Sequence, residues 1–122
     1  MQRLFRIGTF IIILSFFLVN PTFAATSFIE TLSKIRVSQG YIFKINYRTE
    51  AEWTDGLVFK LICSFSKGPE LSFMSSGFNN IKEGWHKTEI DVPKVYRDRY
   101  GYIEDYRLEL YHNGILVSMK SL

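Results

Sequence analysis

One cysteine, two histidines and three prolines in 122 residues leave few ways to build a chemical site. The single Cys63 cannot form a disulfide within the chain. A zinc-type centre needs several Cys or His ligands at fixed short spacing. His86 and His112 have no second His, Cys or carboxylate at such a spacing. No glycine loop matches a phosphate cradle, and no Asp-rich loop matches a calcium site. No serine sits in a Gly-x-Ser-x-Gly turn, the strained setting that exposes a nucleophile. Glu104-Asp105 is a carboxylate pair, but adjacency in sequence sets no catalytic separation. Internal repeats, heptads and low-complexity tracts are missing as well. These absences argue against an enzyme and imply neither a metal nor a cofactor.

Long apolar runs are also missing, with one exception at the start. Arg3 and Arg6 precede a stretch from Ile7 to Val19 whose only polar side chains are Thr9 and Ser15. Asn20-Pro21 then breaks any helix, because proline lacks an N–H and clashes with the preceding turn. Thr22-Phe23-Ala24 puts small side chains at the −3 and −1 positions of a cut after Ala24. Basic start, short apolar core, breaker and small-residue site form a secretory signal. The run is too short for a spanning helix, which needs about 20 apolar residues. Residues 1–24 are therefore expected to be a signal peptide and residues 25–122 one domain. The expected location is the periplasm or the outside, with no membrane association after cleavage. Removing Arg3 and Arg6 from the fifteen basic residues leaves thirteen, against twelve acids, a net of +1. Nothing in that balance resembles the basic stripe of a nucleic-acid binder.

What is present is alternation. In Leu57–Phe65 the odd positions read Leu, Phe, Leu, Cys, Phe. Successive strand side chains face opposite ways, so Cys63 is expected in the core as a small inert hydrophobe. In Tyr41–Arg48, Tyr41, Phe43, Ile45 and Tyr47 share one face. Lys34–Val37 reads as a separate short strand, Glu70–Ser75 as another, and Trp85–Val92 as a third stopped by Pro93. Thr49–Gly56 reads as a polar loop around Trp53, and residues 94–105 as an irregular loop or one helical turn. Asn113-Gly114 between two alternating segments is the signature of a type I′ hairpin. Tyr106, Leu108, Leu110, Ile115, Val117 and Met119 are expected on its inner face. Arg107, Glu109, Ser118 and Lys120 are expected on the solvated one. Six to eight short strands with regular turn signals indicate a sandwich or small barrel.

The closing Tyr106–Val117 hairpin resembles the last hairpin of bacterial immunoglobulin-like or fibronectin-III-like domains. Gly84–Pro93 resembles the strand before it. The resemblance covers about a third of residues 25–122 and rests on hairpin geometry. The Cys…Trp…Cys framework of antibody-type domains is missing. The expected fold is thus all-β, a single antiparallel β-sandwich, immunoglobulin-like. The resemblance implies binding or spacing more than catalysis.

Tyr96, Arg97, Arg99, Tyr100 and Tyr102 crowd the connection before the hairpin. Exposed Tyr and Arg anchor interfaces, and tyrosine rings also stack on sugars. The same residues can instead seal the open end of a sandwich, with the arginines paired to Asp98 and Glu104. Trp53 is the second binding candidate. The leading expectation is a non-enzymatic module that binds a protein of the bacterial envelope. The alternative is a carbohydrate-binding module that uses Trp53 and these tyrosines. A small hydrolase is a third reading, and it requires His86 or His112 to meet an acid and a serine.

Overall fold

A computed structural model describes residues 25–121; the expected signal peptide, residues 1–24, lies outside them. Seven strands follow in order: β1 Ser27–Val37, β2 Gly40–Thr54, β3 Leu57–Phe65, β4 Leu71–Met74, β5 Ile81–Pro93, β6 Ile103–His112 and β7 Ile115–Ser121. One helical turn, α1 Arg97–Tyr100, lies between β5 and β6. The strands form a three-stranded sheet, β1-β2-β5, and a four-stranded sheet, β4-β3-β6-β7. All pairings are antiparallel. The expected all-β domain is therefore present as two sheets in a sandwich-like arrangement. No helix among the described residues is long and apolar enough to cross a membrane.

The core follows from the alternation. Phe43 and Ile45 of β2, Leu57, Phe59, Leu61 and Cys63 of β3, and Leu108 and Leu110 of β6 are fully buried. Aromatic pairs bridge the two sheets. Tyr47 meets Phe59 edge-on at 5.1 Å, and Phe43 meets Tyr106 edge-on at 5.1 Å. Such pairs contribute about 0.5–1.5 kcal/mol each beyond their buried area. Cys63 is a free thiol in this core, and burial pushes its pKa up to about 12. The inert-core expectation for it holds. Asn113 and Gly114 both have positive φ, 51° and 84°, as the hairpin turn requires.

Four expectations need correction. β1 is continuous from Ser27, so Lys34–Val37 is the end of a long strand. β2 does not stop at Arg48. It runs through the expected loop to Thr54, pairing again with β5 at Trp53↔Lys82 after a register shift. The polar composition there reflects solvated outward positions, while Thr49 and Thr54 point inward and are buried. A register shift between Leu110 and Tyr111 reverses part of β7. Ser118 now lies opposite inward Leu110, and Met119 lies opposite Glu109 and is 56% exposed. One bulge residue suffices for this, since side chains alternate with a period of two. Glu109 itself is buried, not solvated. Its carboxylate accepts hydrogen bonds from Tyr111 Oη at 2.7 Å and Arg107 Nε at 3.0 Å. The Tyr111 hydroxyl, then Arg107, holds its pKa below the usual carboxylate range.

Candidate ligand-binding face

The outward face of the three-stranded sheet is built by register. β2 presents Lys44, Asn46 and Arg48 between its inward core residues. β5 presents Trp85, Lys87 and Glu89 opposite them, and β1 adds Phe28, Thr31 and Ser33. Phe28, Arg48 and Trp85 form one row across the three strands.

Arg48 is the centre of that row. Its guanidinium carbon lies 4.9 Å from the Phe28 ring centre and 6.0 Å from that of Trp85. Cations at such distances are drawn to the ring faces. Arg48 Nε donates to Glu30 at 2.9 Å, and Nη1 pairs with Glu50. These hydrogen bonds, Glu30 first and Glu50 second, raise the Arg48 pKa further above its ordinary value. The arginine is thereby held in place beside a tryptophan that stays 66% exposed. Large aromatics normally bury most of their surface, so a tryptophan left in water on a sheet face is informative.

Beside this row lies an open trough of about 420 Å³, lined by Ser33, Lys44, Asn46, Lys87, Thr88 and Glu89. Ligand pockets typically run from roughly 300 to 1,000 Å³. Asn46 Nδ2 donates to Thr31 Oγ1 at 2.7 Å, which leaves the amide oxygen turned to its other side. Trp53 belongs to this same face. Its neighbour Thr54 is buried, and Trp53 is 59% exposed. It pairs with Lys82, three residues before Trp85 on β5, or roughly 10 Å along the strand.

The tyrosine and arginine connection lies elsewhere. Val95, Tyr96, Arg97 and Gly101 border the β1–β2 turn, at Arg36–Tyr41. Trp53 sits at the far end of β2, about 40 Å of strand away. The structure therefore does not bring Trp53 together with Tyr96, Arg97, Arg99, Tyr100 and Tyr102. Tyr100 packs its ring 5.4 Å from Phe65, and Val95 and Ile103 are buried. These residues seal the end of the sandwich. Ser66 N–H donates to Tyr102 O at 2.8 Å, and Lys67 N–H donates to Tyr100 O at 2.9 Å. Gly101 has φ of 76°, and a Cβ there would overlap Ser66 Oγ, so only glycine fits. Tyr96 and Tyr102 remain about half exposed, and Arg97 and Arg99 are exposed. Among the described residues neither arginine forms an ion pair with Asp98 or Glu104.

Among the described residues neither histidine hydrogen-bonds a serine or pairs with a carboxylate. His86 stacks on Tyr47 at 5.4 Å, with Nε2 2.6 Å from Lys82 O. His112 lies next to the Asn113-Gly114 turn on the other sheet. No group of three or more metal-ligating side chains occurs among the described residues.

Sequence reasoning missed Phe28, Arg48, Trp85 and Lys87. The signal was available in the β5 alternation. Trp85 falls in the same set as Lys87, Glu89 and Asp91, which is the solvated set. A tryptophan in a solvated set is the anomaly to follow.

No protein-family model matches the chain, and no curated protein matches it. Solved structures do. The β-glucosidase DesR of Streptomyces venezuelae, solved with D-glucose, matches with a TM-score of 0.52 at 8% identity. The match covers 80% of this chain and 15% of that one. A protein assigned as a β-galactosidase from Bacteroides fragilis matches with a TM-score of 0.51 at 8% identity, over 80% of this chain and 17% of that one. The likeness is one of fold. This chain spans under a fifth of either enzyme's length.

Proposed function

We propose that this chain is an exported, non-enzymatic saccharide-binding module of immunoglobulin-like or fibronectin-III-like type. Its binding surface is the outward face of the three-stranded sheet. The observation that carries the reading is Trp85, two-thirds exposed, set beside Arg48 and next to a trough of hydrogen-bonding side chains. A tryptophan ring offers a flat apolar surface to the C–H face of a sugar. Asn46, Lys44, Lys87, Glu89 and Ser33 offer donors and acceptors to its hydroxyls. Few polar groups around an apolar platform is the usual composition of a small-molecule site. Trp53 extends the platform along the strands. The solved structures of similar fold come from proteins described as acting on glycosides, which supports a saccharide over other ligands of similar size. Export rests on the residues 1–24 signal, and the bacterial envelope is the proposed setting.

Calorimetry of the purified protein against a panel of neutral and acidic oligosaccharides tests this. Binding to at least one member, lost on Trp85→Ala with folding intact, is the expected result. Silence across the panel, or binding indifferent to Trp85→Ala, overturns it.

A second reading keeps a protein of the envelope as the partner. It is favoured by the opposite outward face, where Val58, Lys60, Met74 and Tyr111 line a shallow depression and Leu116 and Met119 are exposed on the adjoining β7. Capture of one envelope protein that is abolished by Leu116→Lys, and unaffected by Trp85→Ala, would make that reading the primary one.

A further inference from the structure

The trough is not neutral in its parts, and its charges fall into two groups. At the Trp85 end, Arg48 is already engaged by Glu30 and Glu50. One guanidinium against two carboxylates leaves that end net negative, so it offers an anion nothing. At the other end stand Lys44 and Lys87, both lining the trough and both exposed. Among the described residues neither forms an ion pair. Glu89 is opposite Lys44 in the register, yet no bridge closes between them.

Their spacing fits one function. Lys87 lies two residues from Trp85 on the same face of β5, about 7 Å along the strand. Lys44 is the diagonal cross-strand neighbour of Lys87, with side-chain origins roughly 7–8 Å apart. Flexible ammonium groups with such a separation can converge on a single anion between them. Asn46, opposite Lys87, donates one amide N–H to Thr31, which leaves its oxygen and second N–H for a hydroxyl. A sugar ring laid on Trp85 therefore carries its neighbouring substituent, or the next residue of a chain, to the two lysines.

We infer that the ligand is a saccharide bearing an anionic group, with its ring on Trp85 and its charge between Lys44 and Lys87. This rests on the saccharide reading and adds the ligand's class. The anion is a carboxylate of a uronic acid or a sulfate ester; both are acceptor-only groups that suit ammonium donors. Glu89 lines the same trough, directly opposite Lys44, and opposes the anion, so it limits affinity.

The test is a matched set of oligosaccharides of one length: neutral glucan, oligouronate and sulfated glucan. Binding is measured by calorimetry at low and physiological salt. An anionic member is expected to bind at least about tenfold more tightly than the neutral one, the effect of one charge-assisted contact. The advantage shrinks with salt, as exposed charges are screened. Lys87→Met removes the advantage of the anionic member over the neutral one, whereas Glu89→Gln increases it. Preference between oligouronate and sulfated glucan identifies which anion is recognised. Equal affinity for neutral and anionic members overturns the inference and leaves the saccharide reading standing. Binding by no member overturns both. An anionic preference that survives Lys44→Met with Lys87→Met places the charge contact elsewhere and overturns the assignment to this trough. Circular dichroism of each variant confirms folding; both lysines are exposed, so their loss leaves the core intact.

Discussion

The two outward faces of this domain share one core and one alternation, yet their surfaces differ in kind. On the three-stranded sheet the outward positions hold Arg48, Asn46, Lys44, Lys87 and Glu89, with Trp85 and Phe28 beside the arginine. Ion pairs hold Arg48, and the exposed Trp85 lies beside it. On the four-stranded sheet the outward positions hold Val58, Met74, Tyr111, Leu116 and Met119. There the exposed groups are mostly flexible, and the fixed feature is a buried carboxylate, Glu109, under Tyr111. Methionine adapts its shape, which suits a surface with no single ligand, whereas a tryptophan ring presents one flat plane. The inward residues have to fill the core, so the outward ones are where the two sheets are free to diverge. The divergence sets an exposed tryptophan beside a polar trough on one side, and an Arg107–Glu109–Tyr111 network among apolar side chains on the other.

Hollowing the shared core destroys both faces together. Phe59→Ala, at a fully buried ring that meets Tyr47, is expected to cost about 3–5 kcal/mol in urea unfolding. A smaller loss would mean that the sheets are less tightly coupled than their aromatic pairs indicate.

Separating the faces takes surface substitutions. Trp85→Ala should weaken saccharide binding by at least about tenfold and shift stability by less than about 0.5 kcal/mol. Met119→Ser on the opposite face should change binding by less than about twofold. The contrast collapses if Met119→Ser has the larger effect.

Acid distinguishes the faces as well. The folded-state pKa of Glu109 lies below its unfolded value. Its contribution is therefore complete above the unfolded carboxylate pKa and is lost as pH falls through the folded one. Urea midpoints should drop below about pH 4.5. Glu109→Gln should flatten that part of the acid limb, while Trp85→Ala should leave it alone.

Within the site, a smaller effect belongs to Arg48. It touches the site through Trp85, so Arg48→Met should loosen the ring and reduce binding about two- to fivefold. An unchanged affinity would show that Trp85 needs no support from below.

Much of this architecture was legible in residue order. The alternation of Leu57–Phe65 buried Cys63 as expected, and Asn113-Gly114 marked the final turn. Three features were not legible, each for a physical reason. The end of β2 looked like a loop because its outward positions are polar and its inward ones are threonines. The β7 faces depend on a bulge at Leu110/Tyr111, and a bulge leaves no mark in a hydrophobic pattern. The site depends on which strands are neighbours. Arg48 and Trp85 lie 37 residues apart and meet only because β2 pairs with β5. The tyrosine connection drew attention through composition alone, yet Tyr100 closes the end of the core.

A nuclear magnetic resonance titration of the labelled protein with a binding oligosaccharide reads the central claim most directly. The chain has two tryptophans, so two indole N–H signals report on Trp53 and Trp85 separately. The largest shifts are expected at the Trp85 indole and at the amides of Asn46, Arg48 and Lys87, with a smaller shift at Trp53. Shifts centred on Leu116, Met119 and Tyr111, or on Tyr96 and Tyr102, would contradict it.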